Sequence, residues 1–185
     1  GNALSVSASA SASVTRAALE RNQAVAVFAD DLASVQLADA VVRGTRSAEA
    51  AGEFGWVLGA ETGASLEVRR TTIAENHEVG VQVHGAGTSL LLEDVVVRDT
   101  AGSEATGGNG VGVGLQDGSG RLTRVAVERN QQSGILAGGA GATLTLTDVA
   151  VRETRSVTDD DRTGRGLELV FGIVVDLERG SFERN

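Results

Sequence analysis

The sequence predicts an all-β fold, a right-handed parallel β-helix of about seven coils, and three observations carry that prediction. Glu20-Arg21-Asn22 returns as Glu75-Asn76, Glu128-Arg129-Asn130 and Glu183-Arg184-Asn185, so its asparagine recurs at a nearly constant period. A second series, Val41-Val42-Arg43-Gly44-Thr45, Val96-Val97-Arg98-Asp99-Thr100 and Ala150-Val151-Arg152-Glu153-Thr154, interleaves with the first at the same period. Apolar residues then fall in columns at fixed distances before every one of these motifs.

Asn22, Thr45, Asn76, Thr100, Asn130, Thr154 and Asn185 serve as anchors. Each step from asparagine to threonine is short and each step from threonine to asparagine is longer, so short and long coils alternate. The repeat unit is two coils, at approximately residues 10–63, 64–119 and 120–173, with a partial coil 174–185. Residues 1–185 read as a single β-helix segment of a longer repeat protein.

Three residues before the anchors stand Leu19, Val42, Ile73, Val97, Val127, Val151 and Phe182. Eight before stand Val14, Leu37, Val68, Leu92, Leu122, Leu146 and Leu177; five before, Ala17, Ala40, Thr71, Val95, Val125, Val149 and Gly180. Apolar columns with polar residues between them are strands stacked in register, not helices. The spacing of eight, five and three departs from strict alternation, so a kink must interrupt each strand. An inward Asn or Thr at each anchor forms a polar ladder, expected to hydrogen-bond to the coils above and below.

The charges follow the same register. Six residues before the anchors, Arg16, Asp39, Arg70, Asp94, Arg124, Asp148 and Arg179 alternate strictly in sign. Two before, Glu20, Arg43, Ala74, Arg98, Glu128, Arg152 and Glu183 alternate with one gap. Coils stack about 4.8 Å apart, so these columns face opposite charges across each junction. A slip of one coil would oppose like charges, which explains a repeat unit of two.

Composition limits the function. The net charge is −9, every cation but the two histidines is arginine, and aromatics are 3% of the chain. The acidic balance excludes nucleic acid as the natural partner, and no apolar run is long enough for a membrane span. The absence of cysteine removes disulfides, zinc–thiolate sites and thiol catalysis.

The Asn ladder, the coil length and the Gly-terminated short strands resemble the right-handed, pectate-lyase-like β-helix superfamily, and most of all its generic β-helix-repeat proteins of bacterial surfaces. The resemblance implies a right-handed solenoid, as parallel crossovers also favour. It implies a secreted or cell-surface location. The superfamily spans lyases, hydrolases, esterases, tailspikes and adhesins, so it does not transfer a single activity. No Ca²⁺-binding nonapeptide is present, because Gly107-Gly108-Asn109-Gly110-Val111 lacks its aspartate.

Each long coil carries an insertion after its threonine: Arg46 to Phe54, Ala101 to Asn109 and Arg155 to Arg165. The candidate ligand-binding residues are Glu49, Glu53, Trp56, Glu104, Asn109, Asp159, Asp160 and Asp161. Insertions lining one face are where solenoids bind partners. These would suit a glycan or another surface protein. No cofactor is required, and Ca²⁺ is the ion the acidic loops would hold. Trp56 has two readings, stacking on a sugar or covering the edge of its coil. His77 and His84 read as surface histidines, with no Ser, Cys or acidic partner at a telling spacing. Asp30, Asp31, Glu61 and Asp117 fall near one turn of three coils, and Glu168 is the sole carboxylate on the strands after the anchors. No catalytic residue is assigned.

The sequence therefore favours a structural or adhesive solenoid that presents its long-coil loops. The alternatives are a carbohydrate-active enzyme, namely a polysaccharide lyase or glycoside hydrolase, or its glycan-binding portion, and a subunit that stacks end to end into a filament. Neither end of the segment shows a polar cap.

Overall fold

The computed structural model describes residues 2–47, 55–157 and 164–185, and among them all regular structure is strand. The first level holds β1 (Leu4–Val6), β2 (Ser11–Thr15) and β3 (Ala18–Glu20). Above it lie β4 (Val27–Ala29), β5 (Ser34–Ala38) and β6 (Val41–Arg43), then β7 (Trp56–Glu61), β8 (Ser65–Arg69) and β9 (Thr72–Ala74). The fourth level holds β10 (Val79–His84), β11 (Ser89–Glu93) and β12 (Val96–Arg98). In the upper levels the second and third strands fuse, leaving two per level: β13 (Val111–Gln116) with β14 (Ser119–Glu128), β15 (Ser133–Gly138) with β16 (Thr143–Arg152), and β17 (Arg165–Val170) with β18 (Val174–Glu183).

Every pairing is parallel and joins a strand to its equivalent one coil away. β1, β4, β7, β10, β13, β15 and β17 form one sheet, and the remaining strands form the other. Leu4, Val27, Leu58, Val81, Val113, Ile135 and Leu167 stand in register across the first sheet. The architecture is a parallel β-solenoid of about six turns. The sequence count of seven coils counted levels. Seven anchors enclose six intervals, which accounts for the difference.

The irregular spacing of the columns has a single cause. Every residue of the column six before the anchor has a left-handed backbone, from Arg16 (φ 54°) and Asp39 (φ 54°) to Arg179 (φ 56°). Every residue just before the anchor does too: Arg21, Gly44, Glu75, Asp99, Arg129, Glu153 and Arg184. One left-handed residue between extended ones turns the chain and shifts the inward phase from two residues to three. Inward positions therefore fall at ten, eight, five, three and zero before the anchor, as Leu66, Val68, Thr71, Ile73 and Asn76 do, all buried. The corners do not break the ladder: the Asp39 N–H donates to the Arg69 carbonyl and the Glu75 N–H to that of Arg98.

The core that results is a stack of aliphatic layers. Leu37, Leu58, Leu66, Ile73, Leu92, Leu122, Ile135 and Leu146 are fully buried, and the contiguous cluster contains no aromatic residue. Glycine marks where the backbone comes closest. A Cβ on Gly112 would lie 2.6 Å from the Gly134 carbonyl oxygen and 2.8 Å from Asn130 Nδ2.

Candidate binding face

The anchors act as clamps rather than a continuous ladder. Asn76 Oδ1 accepts the Thr45 N–H at 2.9 Å while its Nδ2 donates to the Val42 carbonyl. Asn130 does the same to Thr100 and Val97, and Asn185 to Thr154 and Val151. Each asparagine thus reaches only to the level below. The short threonine side chain cannot reach in the other direction: the buried hydroxyls of Thr45 and Thr100 have no hydrogen-bond partner, and neither does Asn22 Nδ2. Thr154 differs, its hydroxyl donating to Asn185 Oδ1 at 2.8 Å.

The charges resolve into discrete pairs of the same kind. Arg70 binds Asp39 through Nε and Nη2, Arg124 binds Asp94, and Arg179 binds Asp148. Each arginine holds its aspartate below the usual carboxylate range. Just before the anchor, Arg129 pairs with Asp99 and Arg184 with Glu153, a column that sequence counting passed over. All of these join a threonine level to the asparagine level above it. The opposite junctions use the column two before the anchor, where Arg43 pairs with Glu20 and Arg152 with Glu128. At Ala74, where that column has its gap, Arg69 and Glu93 pair instead. Arg16 is the one arginine of the six-before column that has no aspartate beneath it among the described residues. The ladders are thus structural, and they occupy the outer side of the second sheet.

The outer side of the first sheet is different. Its central outward column reads Phe28, Gly59, Gln82, Gly114, Leu136, Glu168 in register. Large and absent side chains alternate up to Leu136. The glycines are required by what lies over them: a Cβ on Gly59 would stand 3.1 Å from both the Phe28 and Trp56 rings, and one on Gly114 would stand 2.1 Å from Gln82 Oε1. Phe28 and Trp56 contact one another with centroids 6.5 Å apart. Above them runs a depression of about 470 Å³ lined by Trp56, Glu61, Gln82, His84, Asn109 and Gln116 among others. It shares Gln82, Gln116 and Leu136 with a second depression of about 440 Å³ that ends at Val170 and Phe171. Together they form one trough running along the solenoid axis.

The structure brings only part of the sequence-predicted site together. Trp56 and Asn109 line the trough. Trp56 is half-buried and packs outside the core cluster. Glu104 does not line it. It sits earlier in the loop that ends at Asn109, 3.9 Å from His77 Nε2, whose Nδ1 faces the Gly102 carbonyl at 2.9 Å. His84 lies 3.5 Å from Glu61. Both histidines thus have acidic neighbours supplied by an adjacent coil, which spacing along the chain does not reveal. Glu49, Glu53, Asp159, Asp160 and Asp161 lie outside the described residues. Arg165, taken as the end of an insertion, is the first residue of β17. Among the described residues no group of three acidic or histidine side chains is placed to hold a metal ion.

The trough residues had a signal that counting back from the anchors missed. Counting forward, Phe28, Gln82 and Leu136 stand six places after successive asparagines, and Gly59 and Gly114 stand fourteen after successive threonines.

No family model matches the chain, and no curated protein matches it. Among solved structures, QnrB1, a plasmid-mediated fluoroquinolone resistance protein, aligns at 10% identity over 95% of this chain and 92% of its own, with a TM-score of 0.18. No argument follows from so low a score.

Proposed function

We propose that this chain is a rigid adhesive module that holds an uncharged glycan strand along the trough of the first sheet. The observation that carries the reading is the placement of aromatic rings. Two of the four described aromatics, Trp56 and Phe171, line this one trough, and a third, Phe28, packs against Trp56. An aromatic face offers an apolar platform to the C–H face of a sugar, and carboxamides such as Gln82 and Gln116 offer both donors and acceptors to its hydroxyls. The long-coil loop ending at Asn109 forms a rim of the trough, which agrees with a solenoid that binds beside its insertions.

On this reading the protein is a right-handed β-helix of the pectate-lyase-like kind from a secreted or surface-exposed bacterial protein. Two carboxylates line the trough, Glu61, 3.5 Å from His84, and Asp117, so cleavage is the second reading and is tested beside binding. The test is calorimetric titration with a panel of neutral and acidic polysaccharides, with and without Ca²⁺, alongside a reducing-end assay. A neutral polysaccharide should bind, and Trp56→Ala should weaken it at least tenfold without altering the circular dichroism. Absence of binding across the panel, or unchanged affinity in Trp56→Ala, would sink the proposal. New reducing ends would move the assignment to an enzyme.

A further inference from the structure

Two residues that line the trough, Trp56 and Asn109, adjoin glycines at the necks of the long-coil loops: Gly55 precedes Trp56 and Gly110 follows Asn109. Both glycine N–H groups end on one residue, Glu78. That of Gly55 donates to its side-chain Oε2, and that of Gly110 to its main-chain carbonyl at 2.7 Å.

The main-chain half of this arrangement is general to the fold. Ala24, Glu78 and Gln132 each stand two places after an asparagine anchor, with left-handed backbones of φ 72°, 66° and 58°. Each gives its N–H to the coil above, Ala24 to Arg46, Glu78 to Ala101 and Gln132 to Arg155. The Gln132 carbonyl takes the N–H groups of Gly164 and Arg165, as the Glu78 carbonyl takes those of Gly110 and Val111.

The side-chain half is particular to Glu78. Gly55 turns its N–H to the carboxylate in the level above, while its carbonyl accepts the Val79 N–H. The peptide that leads into Trp56 is therefore gripped at both of its neighbouring polar groups. Glu78 is only 3% exposed, and a Cβ on Gly55 would lie 3.4 Å from its Cδ, so the two pack directly together. A carboxylate is costly to bury, and an N–H donated to one makes a strong hydrogen bond.

We propose that Glu78 is the positioning residue for Trp56: its carboxylate fixes Gly55 and so the indole on the trough, while its main chain ties that platform to the neck of the second loop beside Asn109. The consequence for binding rests on the glycan reading above; the placement of Trp56 does not. Trp56 is the only tryptophan of the chain, so intrinsic fluorescence reports its surroundings without a ligand. Ala24 and Gln132 stand at equivalent positions, so Glu78→Ala and Glu78→Gln both suit the backbone there. Glu78→Ala should raise acrylamide quenching of Trp56 about twofold or more, as local loosening does. Glu78→Gln, which keeps an acceptor oxygen, should hold the wild-type value, and Gln132→Ala should leave Trp56 as it was. Should Glu78→Ala not fold, Glu78→Asp, which withdraws the carboxylate by one methylene, is read in its place. Where a polysaccharide binds, its affinity should fall about fivefold in Glu78→Ala and hold in Gln132→Ala. Unchanged quenching or unchanged affinity in Glu78→Ala, an equal rise in quenching in Gln132→Ala, or no rescue by Glu78→Gln would each overturn the proposal. The quenching arms use no glycan, so they decide it even if every polysaccharide fails to bind.

Discussion

Asn76 clamps Thr45: one carboxamide takes the threonine's buried N–H on its oxygen and gives its own N–H to the carbonyl of Val42, three places earlier. The same relationship recurs between Asn130 and Thr100. Replacing Asn130 with Ala strands a buried donor, which costs about 1–3 kcal/mol. Asn22→Ala should cost well under half as much, because its Nδ2 has no partner to lose. Urea denaturation of the two variants measures the difference, and equal losses would refute the clamp.

Acid should weaken the solenoid through the aspartate column. Asp39, Asp94 and Asp148 are held below the ordinary value, first by hydrogen bonds from Arg70, Arg124 and Arg179. A folded-state pKa below the unfolded one gives stability that is complete above the unfolded value of about 3.9 and is lost as pH falls through the lower folded value. Urea midpoints should be flat from pH 7 to 5 and fall below pH 4. One molar salt should reduce the size of the fall, since these pairs are solvent-exposed. A midpoint independent of pH down to 2.5 would contradict this.

The corners can be tested apart from the charges at Glu75, whose φ is 55° and which makes no ion pair among the described residues. Glu75→Gly should leave stability unchanged or raise it by up to about 1 kcal/mol, and Glu75→Val should lower it by about 1–2 kcal/mol. The ranking is the prediction, and thermal melts of both variants give it.

Close approach of the backbone makes Gly112 intolerant. Its added methyl would meet the Gly134 carbonyl oxygen, Val127 and Asn130 together. Gly112→Ala should destabilise by about 1–3 kcal/mol, as overpacking does. Gly141, with nothing within 4 Å, gives the contrast: Gly141→Asn should cost less, Asn tolerating its φ of 87° better than most residues. Chemical denaturation of the pair checks the order.

The fold was legible because its signal is repeated. Val14, Leu37, Val68 and Leu92 stand one above another at a fixed offset, and no single copy needed to be convincing. The corners were hidden because, Gly44 apart, they use Arg, Asp and Glu where a glycine would have announced a left-handed backbone. Their charges were read for pairing, and their conformation went unseen. The trough stayed hidden for a different reason. Gln82 and Gly114 matter through a side chain lying across a neighbouring coil, a relationship a full coil apart in the chain that follows only from the register. The histidine contacts with Glu61 and Glu104 were missed on the same ground.

The two kinds of junction constrain how such a chain changes length over generations. Removing residues 77–100, one coil, would seat Arg124 directly on Arg70 and Asn130 on Asn76, whereas removing residues 77–130 would leave every neighbour of the proper type. A gene encoding this solenoid can therefore grow or shrink without penalty only by whole pairs of coils, and its relatives should differ in length by whole multiples of the Asn-to-Asn repeat.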